Sequence, residues 1–152
     1  MLKINIVCVG NLKDKFFIDA CAEYSKRLSR FCDLKITELK EYTDLDSVEQ
    51  IKQKEGQEIL KHIKGYFVLL DVKGTQISSE DFAESLKTIS LSHSEITFVI
   101  GGSYGVCQDV KQKANQKISV SKMTFPHRLF RVMLLEQIYR AFTINNNISY
   151  HK

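Results

Sequence analysis

Proline occurs once in these 152 residues, at Pro126. A chain that spends proline once has fixed one segment with it, because proline locks its own φ and holds the preceding residue extended. Cysteine is also sparse in pattern. Cys8, Cys21, Cys32 and Cys107 form no Cys-x-x-Cys pair, which removes the usual zinc spacing and suits free thiols in a reducing compartment. No metal is expected. Long apolar runs are missing as well, so a membrane-spanning helix is not expected, and the short apolar stretch before Gly10 is too brief for a secretion signal. The expected location is the cytoplasm. No linker, repeat or low-complexity segment divides the chain, and a single domain over residues 1–152 is expected.

Negative charge is scarce in one region only. Residues 1–100 carry 14 Lys and Arg against 16 Asp and Glu, whereas residues 101–152 carry 8 against 2. A basic last third suits a polyanion such as nucleic acid, and equally suits a solvated face.

What is present has a clear rhythm. Lys3 to Val9 is an apolar run closed by Gly10; a helical pattern from Asp14 to Arg30 follows, with Phe17, Ile18, Cys21, Tyr24 and Leu28 on one side. Leu34 to Leu39 alternates with period two, and Asp46 to Lys64 returns to helical spacing. Tyr66 to Leu70 is a continuous apolar strand. Ser78 with Asp81 three residues on reads as a capping box ahead of a helix containing Phe82, Ala83, Leu86 and Ile89. Glu95 to Ile100 is another strand, a short helix runs to Ala114, and Lys117 to Val120 is a last short strand. Strands alternating with helices, several of them unbroken apolar runs, predict an α/β fold: a mostly parallel sheet with helices on both faces.

Two loops stand out. Gly101-Gly102-Ser103-Tyr104-Gly105 follows a strand directly, and its glycines permit positive φ or close approach of a ligand to the backbone. It is not Gly-x-Gly-x-x-Gly, it lacks Gly-Lys-Ser/Thr, and Ser103 does not have nucleophile-elbow spacing. A ligand-free tight turn fits it equally well. The second loop, Ser121-Lys122-Met123-Thr124-Phe125-Pro126-His127, joins the last strand to the last helix. In such sheets ligands bind beyond the carboxyl ends of the strands, and both loops fall on that edge.

From His127 to Ile144 the last helix holds eleven apolar residues among eighteen. A helix covering one face of a sheet needs only a stripe, so this one is either buried all round or part of an oligomer interface, a symmetric dimer being the commonest form. The chain then ends Tyr150-His151-Lys152, a phenol, an imidazole and an ammonium in succession. A terminal tail is ordinarily solvated; tied over a pocket, this one would supply a proton acceptor, a hydrogen-bond donor and a phosphate contact.

The glycine loop, the Ser121–His127 run, Glu136-Gln137-Ile138-Tyr139-Arg140-Ala141 and the Tyr-His-Lys end, together with Ile6-Val7-Cys8-Val9-Gly10-Asn11-Leu12-Lys13 and Lys54-Glu55-Gly56-Gln57, resemble over the whole chain the RlmH-type ribosomal RNA methyltransferases of the SPOUT superfamily. That resemblance implies a C-terminal deep trefoil knot, an exception to the unknotted-chain rule. It implies a homodimer that binds S-adenosylmethionine and methylates N3 of a pseudouridine in large-subunit (23S) ribosomal RNA on the assembled ribosome. Carried over by motif, the cofactor site comprises Leu70, Gly101, Gly102, Gly105, Val120, Ser121, Lys122, Met123, Thr124 and Phe125. His151 becomes the candidate base, with Tyr150 stacking or donating a hydrogen bond and Lys152 holding phosphate or a developing oxyanion. The resemblance also puts the tail at the dimer interface, near the methyl donor. The chain departs from the family at Ser149, where proline is common, at Lys152, where arginine is common, and at Tyr104, bulkier than some family choices. A non-catalytic ribosome- or RNA-binding factor retaining the knotted fold is the alternative.

Overall fold

The computed structural model describes residues 1–152. Its elements in chain order are β1 (Lys3–Val9), α1 (Lys15–Leu28), β2 (Asp33–Leu39), α2 (Val48–Leu60), β3 (Tyr66–Gln76), α3 (Ser79–Ser92), β4 (Glu95–Ile100), α4 (Gln108–Lys113), β5 (Gln116–Ser119) and α5 (His127–Asn145). The five strands form one sheet of order β2-β1-β4-β3-β5, and every pairing is parallel.

Alternation along the strands sorts the apolar residues into two cores. Ile4, Ile6 and Cys8 of β1 face one side with Phe98 of β4, covered by Leu28 of α1, Phe82 and Leu86 of α3, and Leu134, Leu135 and Ile138 of α5. Val7 and Val9 face the other side with Phe67 and Leu69 of β3, covered by Ile59 of α2 and Val110 of α4. Because β1, β3 and β4 are packed on both faces, they read in the sequence as unbroken apolar runs rather than alternating ones. The four cysteines are free and buried. Burial pushes the thiols of Cys8 and Cys32 up to about 12, so they behave as small apolar side chains.

The expected α/β architecture is present, with small shifts at element ends. Helix α2 begins at Val48, not Asp46, because Ser47 caps it by accepting the Gln50 N–H. Ser78 accepts the Asp81 N–H at 3.0 Å in the same way at the head of α3. Strand β3 does not stop at Leu70. It breaks register there and resumes beside β5, pairing Thr75 with Ile118 and Gln76 with Ser119. The polar residues after Leu70 hid this continuation, since an interrupted edge pairing leaves no apolar run to read.

From β5 at one sheet edge the chain crosses the strand ends to reach β1 and β2 at the far side. There Arg131 of α5, 3 % exposed, donates to Glu38 Oε2 at 2.6 Å and to the Gly10 carbonyl at 3.1 Å. This crossing is compatible with the threading expected of a knotted C-terminus. Helix α5 then packs between α1 and α3, which accounts for its apolar girth, although Leu129, Phe130, Val132 and Met133 stay only half-buried. No helix is long and apolar enough to cross a membrane.

Candidate active site

A cavity of about 780 Å³ opens beyond the carboxyl ends of β4 and β5 and beside the register break of β3, a volume in the range of small-molecule sites. Ile100 and Ile118 line it at the ends of β4 and β5, and Leu70 at the break in β3. One wall is the glycine loop, and the other is formed by Ser119, Val120, Thr124, Phe125, Pro126 and His127. The ring of Phe125 meets that of Phe130 edge-on at 5.6 Å, making a firm apolar side. Lys52, Lys73 and Lys111 with Asp71 add charge around this space.

Of the residues implied by resemblance, Leu70, Gly101, Gly102, Gly105, Val120, Thr124 and Phe125 line the cavity. Ser121, Lys122 and Met123 do not. They make a turn in which Ser119 Oγ donates to the Ser121 carbonyl and Ser121 Oγ accepts the Met123 N–H, with Met123 70 % exposed. The glycine loop closes on itself through Gly105 N–H to Gly102 O at 3.0 Å, and of its glycines only Gly105 has a positive φ, of 82°. A side chain on Gly101 would come within 2.7 Å of Val106 inside the protein. Glycine at 101 is thus demanded by packing behind the loop.

Reading by sequence missed His127 as a cavity residue. Its Nε2 is buried without a hydrogen-bond partner. Burial lowers its pKa from the ordinary histidine value, a pull partly opposed by Glu41, so the imidazole is neutral. The available signal was its place directly after Pro126, at the point where the cavity wall becomes helix.

The terminal triad sits elsewhere in the chain. His151 does not line the cavity. Its Nδ1 lies 3.0 Å from Arg140 Nη1, and its Nε2 lies 2.6 Å from Glu80 Oε1. Arginine can only donate, so Nδ1 accepts and Nε2 carries the hydrogen given to Glu80. Contact with His151 holds the Glu80 carboxyl below the usual range. Tyr150 donates to Glu136 Oε1 at 3.1 Å and packs edge-on against Tyr139. Burial and Glu136 push its phenol up to about 12, so it keeps its proton at neutral pH. Arg140 binds Glu136 at 2.6 Å and lies over the Tyr150 ring at 4.8 Å. Lys152 is exposed. No group of three His, Cys, Asp or Glu side chains is placed to hold a metal ion.

A parallel α/β sheet with a cavity at its carboxyl end, edged by backbone and apolar rings, describes an α/β protein built to bind a small ligand. Comparison with known proteins narrows this. The family described as "Predicted SPOUT methyltransferase" matches residues 2–151, and the chain belongs to that family. It is 49% identical over 153 residues to the ribosomal RNA large subunit methyltransferase H of Caldicellulosiruptor saccharolyticus, covering 98% of this chain and 99% of that protein. With the protein of the same name from Clostridium novyi it shares 50% identity over 159 residues, covering 99% of this chain and 100% of that one. Among solved structures it resembles a probable methylase family protein from Haemophilus influenzae, with a TM-score of 0.52 at 16% identity, covering 98% of this chain and 70% of that one. A putative methyltransferase from Legionella pneumophila, solved with bound SAM, gives a TM-score of 0.51 at 9% identity, covering 93% of this chain and 66% of that one. These two likenesses concern the fold.

Proposed function

We propose that this protein transfers a methyl group from S-adenosylmethionine to N3 of a pseudouridine in large-subunit ribosomal RNA on the assembled ribosome, acting in the cytoplasm as a single-domain chain paired into a homodimer. The observation that carries the reading is the carboxyl-edge cavity, walled by the two irregular loops, in a chain that matches ribosomal RNA methyltransferases over its full length. The cavity has the size and the apolar walls that an adenosine group needs. Leu70 and Phe125 would hold the ring between them, and the backbone edges of Gly101, Gly102, Gly105, Val120 and Thr124 would offer hydrogen bonds to its polar rim. Ser121, Lys122 and Met123 hold the turn that completes this wall. When bound, the cofactor supplies an electrophilic methyl group on a sulfonium.

Methyl transfer by in-line displacement asks the protein chiefly to align donor and acceptor. The acceptor N3 carries a proton, and a base must take it before the ring becomes a good nucleophile. His151 has a single lone pair, on Nδ1, and Arg140 covers it, so the N3–H must displace Arg140 for His151 to act. Tyr150 keeps its proton and serves as a donor or stacking surface; Lys152 is free to meet phosphate as a point charge. Because His151 does not line the cavity of its own chain, a complete site is best made by the tail of one protomer and the cavity of another. The half-buried apolar face of α5, with Phe16 and Ile18 exposed on α1, is suited to such pairing.

Mass mapping of ribosomal RNA tests this directly. Ribosomes from cells lacking the protein, incubated with it and the cofactor, are expected to gain one methyl group at one pseudouridine. No gain, under conditions in which an unrelated ribosomal RNA methyltransferase works, overturns the reading in favour of a binding factor.

A further inference from the structure

The Lys54–Gln57 motif lies in the middle of α2. Glu55, on α2, is 3 % exposed, although charged side chains are rarely buried without a partner. Its Oε2 accepts the Tyr42 N–H at 3.2 Å, which ties α2 to the segment after β2. Its Oε1 is buried and has no hydrogen-bond partner at all. That oxygen sits where a side chain on Gly102 would begin: a Cβ there would lie 2.8 Å from Oε1 and 3.1 Å from Val9. The carboxyl group therefore occupies the space behind the glycine loop, whose other face lines the cavity. A second carboxylate from the same segment reaches the loop, since Ser103 Oγ donates to Glu41 Oε1 at 3.0 Å.

We propose that Glu55 is a positioning residue for the cofactor cavity: wedged behind Gly102 and tied to Tyr42, it sets the glycine loop at the distance from the β5–α5 wall that a bound nucleoside requires. This inference rests on the cofactor reading above. Burial raises the Glu55 carboxyl above the ordinary range, the Tyr42 N–H draws it down and Glu41 pushes it up again. Glutamine keeps the shape of this side chain and an oxygen to accept the Tyr42 N–H. Besides Glu55, the loop is held by its own Gly102–Gly105 bridge and by the Ser103–Glu41 bond.

The test is the dissociation constant of S-adenosylhomocysteine, measured by calorimetry on the full chain, beside the melting temperature without ligand. Glu55→Ala and Glu55→Asp, which both withdraw the carboxyl from Gly102, are expected to bind about tenfold more weakly, the scale of one lost buried polar contact. Glu55→Gln should stay within about twofold of the parent. Gly102→Ala should also weaken binding, and its effect should shrink in the Glu55→Ala background, because the clash partner is gone. If Glu55→Ala does not fold, the Asp and Gln variants carry the comparison. Parental affinity in Glu55→Asp, or a lowered melting temperature with unchanged affinity, makes Glu55 a packing residue only and overturns the proposal. Failure of the parent protein itself to bind S-adenosylhomocysteine would instead sink the cofactor reading.

Discussion

The cavity and the C-terminal tail are built on opposite principles. The cavity is edged by backbone and closed by apolar rings, with its one histidine half-buried and neutral and its Nε2 without a partner. The tail is a chain of polar side chains, Glu80, His151, Arg140, Glu136 and Tyr150, each bound to the next. A surface of fixed amides and rings recognises a ligand by shape and costs nothing to reorganise, whereas a cross-linked polar cluster holds protons in defined places. In the proposed reading, binding and chemistry fall to separate parts of one chain, and a second copy would bring them together.

The sharpest way to break this division is at His151. His151→Ala should reduce single-turnover methylation by on the order of 10²- to 10⁴-fold while leaving cofactor affinity unchanged. Equal losses in both would make His151 part of the cofactor-binding surface rather than of the chemistry. Arg131, which fastens the head of α5 to β1 and β2, supports both regions. Replacing it with leucine orphans the Gly10 carbonyl and should cost about 2–3 kcal/mol in denaturant unfolding, less than a fully buried pair because Glu38 is partly solvated. Gly101→Ala, forced against Val106, should weaken cofactor binding by about tenfold with the tail intact. Mixing the His151→Ala and Gly101→Ala proteins then tests whether the site is composite. At cofactor concentrations too low to load the Gly101→Ala cavity, random exchange puts half the chains into mixed dimers with one sound site each, so about a quarter of parental activity should return above the Gly101→Ala background. No recovery means that tail and cavity act within one chain.

The smallest expected effect is on pH. The folded-state pKa of His127 lies below its ordinary value, so its contribution to stability is present above about pH 6.5 and is lost as the pH falls through the folded value. His127→Gln should flatten that acid limb of the melting-temperature profile slightly, while a parallel slope in both proteins would assign the limb to other groups.

How much of this the sequence disclosed depends on what carries the signal. Strands β1, β3 and β4 were legible because burial on both faces leaves unbroken apolar runs, and α5 because its apolar residues exceed one stripe. The continuation of β3 to Gln76 was not, since an edge pairing after a register break needs no apolar residues. Loops with glycine and proline pointed to the correct sheet edge. His127 and the lysines around the cavity stayed hidden, because lining is decided by chain crossings that no local pattern records. The tail shows the converse limit: the types of Tyr150 and His151 suggested proton chemistry, but nothing in the sequence joins His151 to Glu80, 71 residues away. Glu55 is similar, a charged residue on a helix whose burial against Gly102 no local pattern records.

The strand order has a consequence for how the protein is made. By the time Ile100 is synthesised, β1 to β4 are all available and every pairing of the inner sheet can form. The remaining wall of the cavity, the strand that supports it and the helix that closes the first core come from residues 116 onward. During vectorial synthesis a nascent chain can therefore collapse around its central strands while still unable to hold a ligand. Competence arrives with the final quarter of translation, so a prematurely released chain would be a compact sheet with an exposed apolar face and no site.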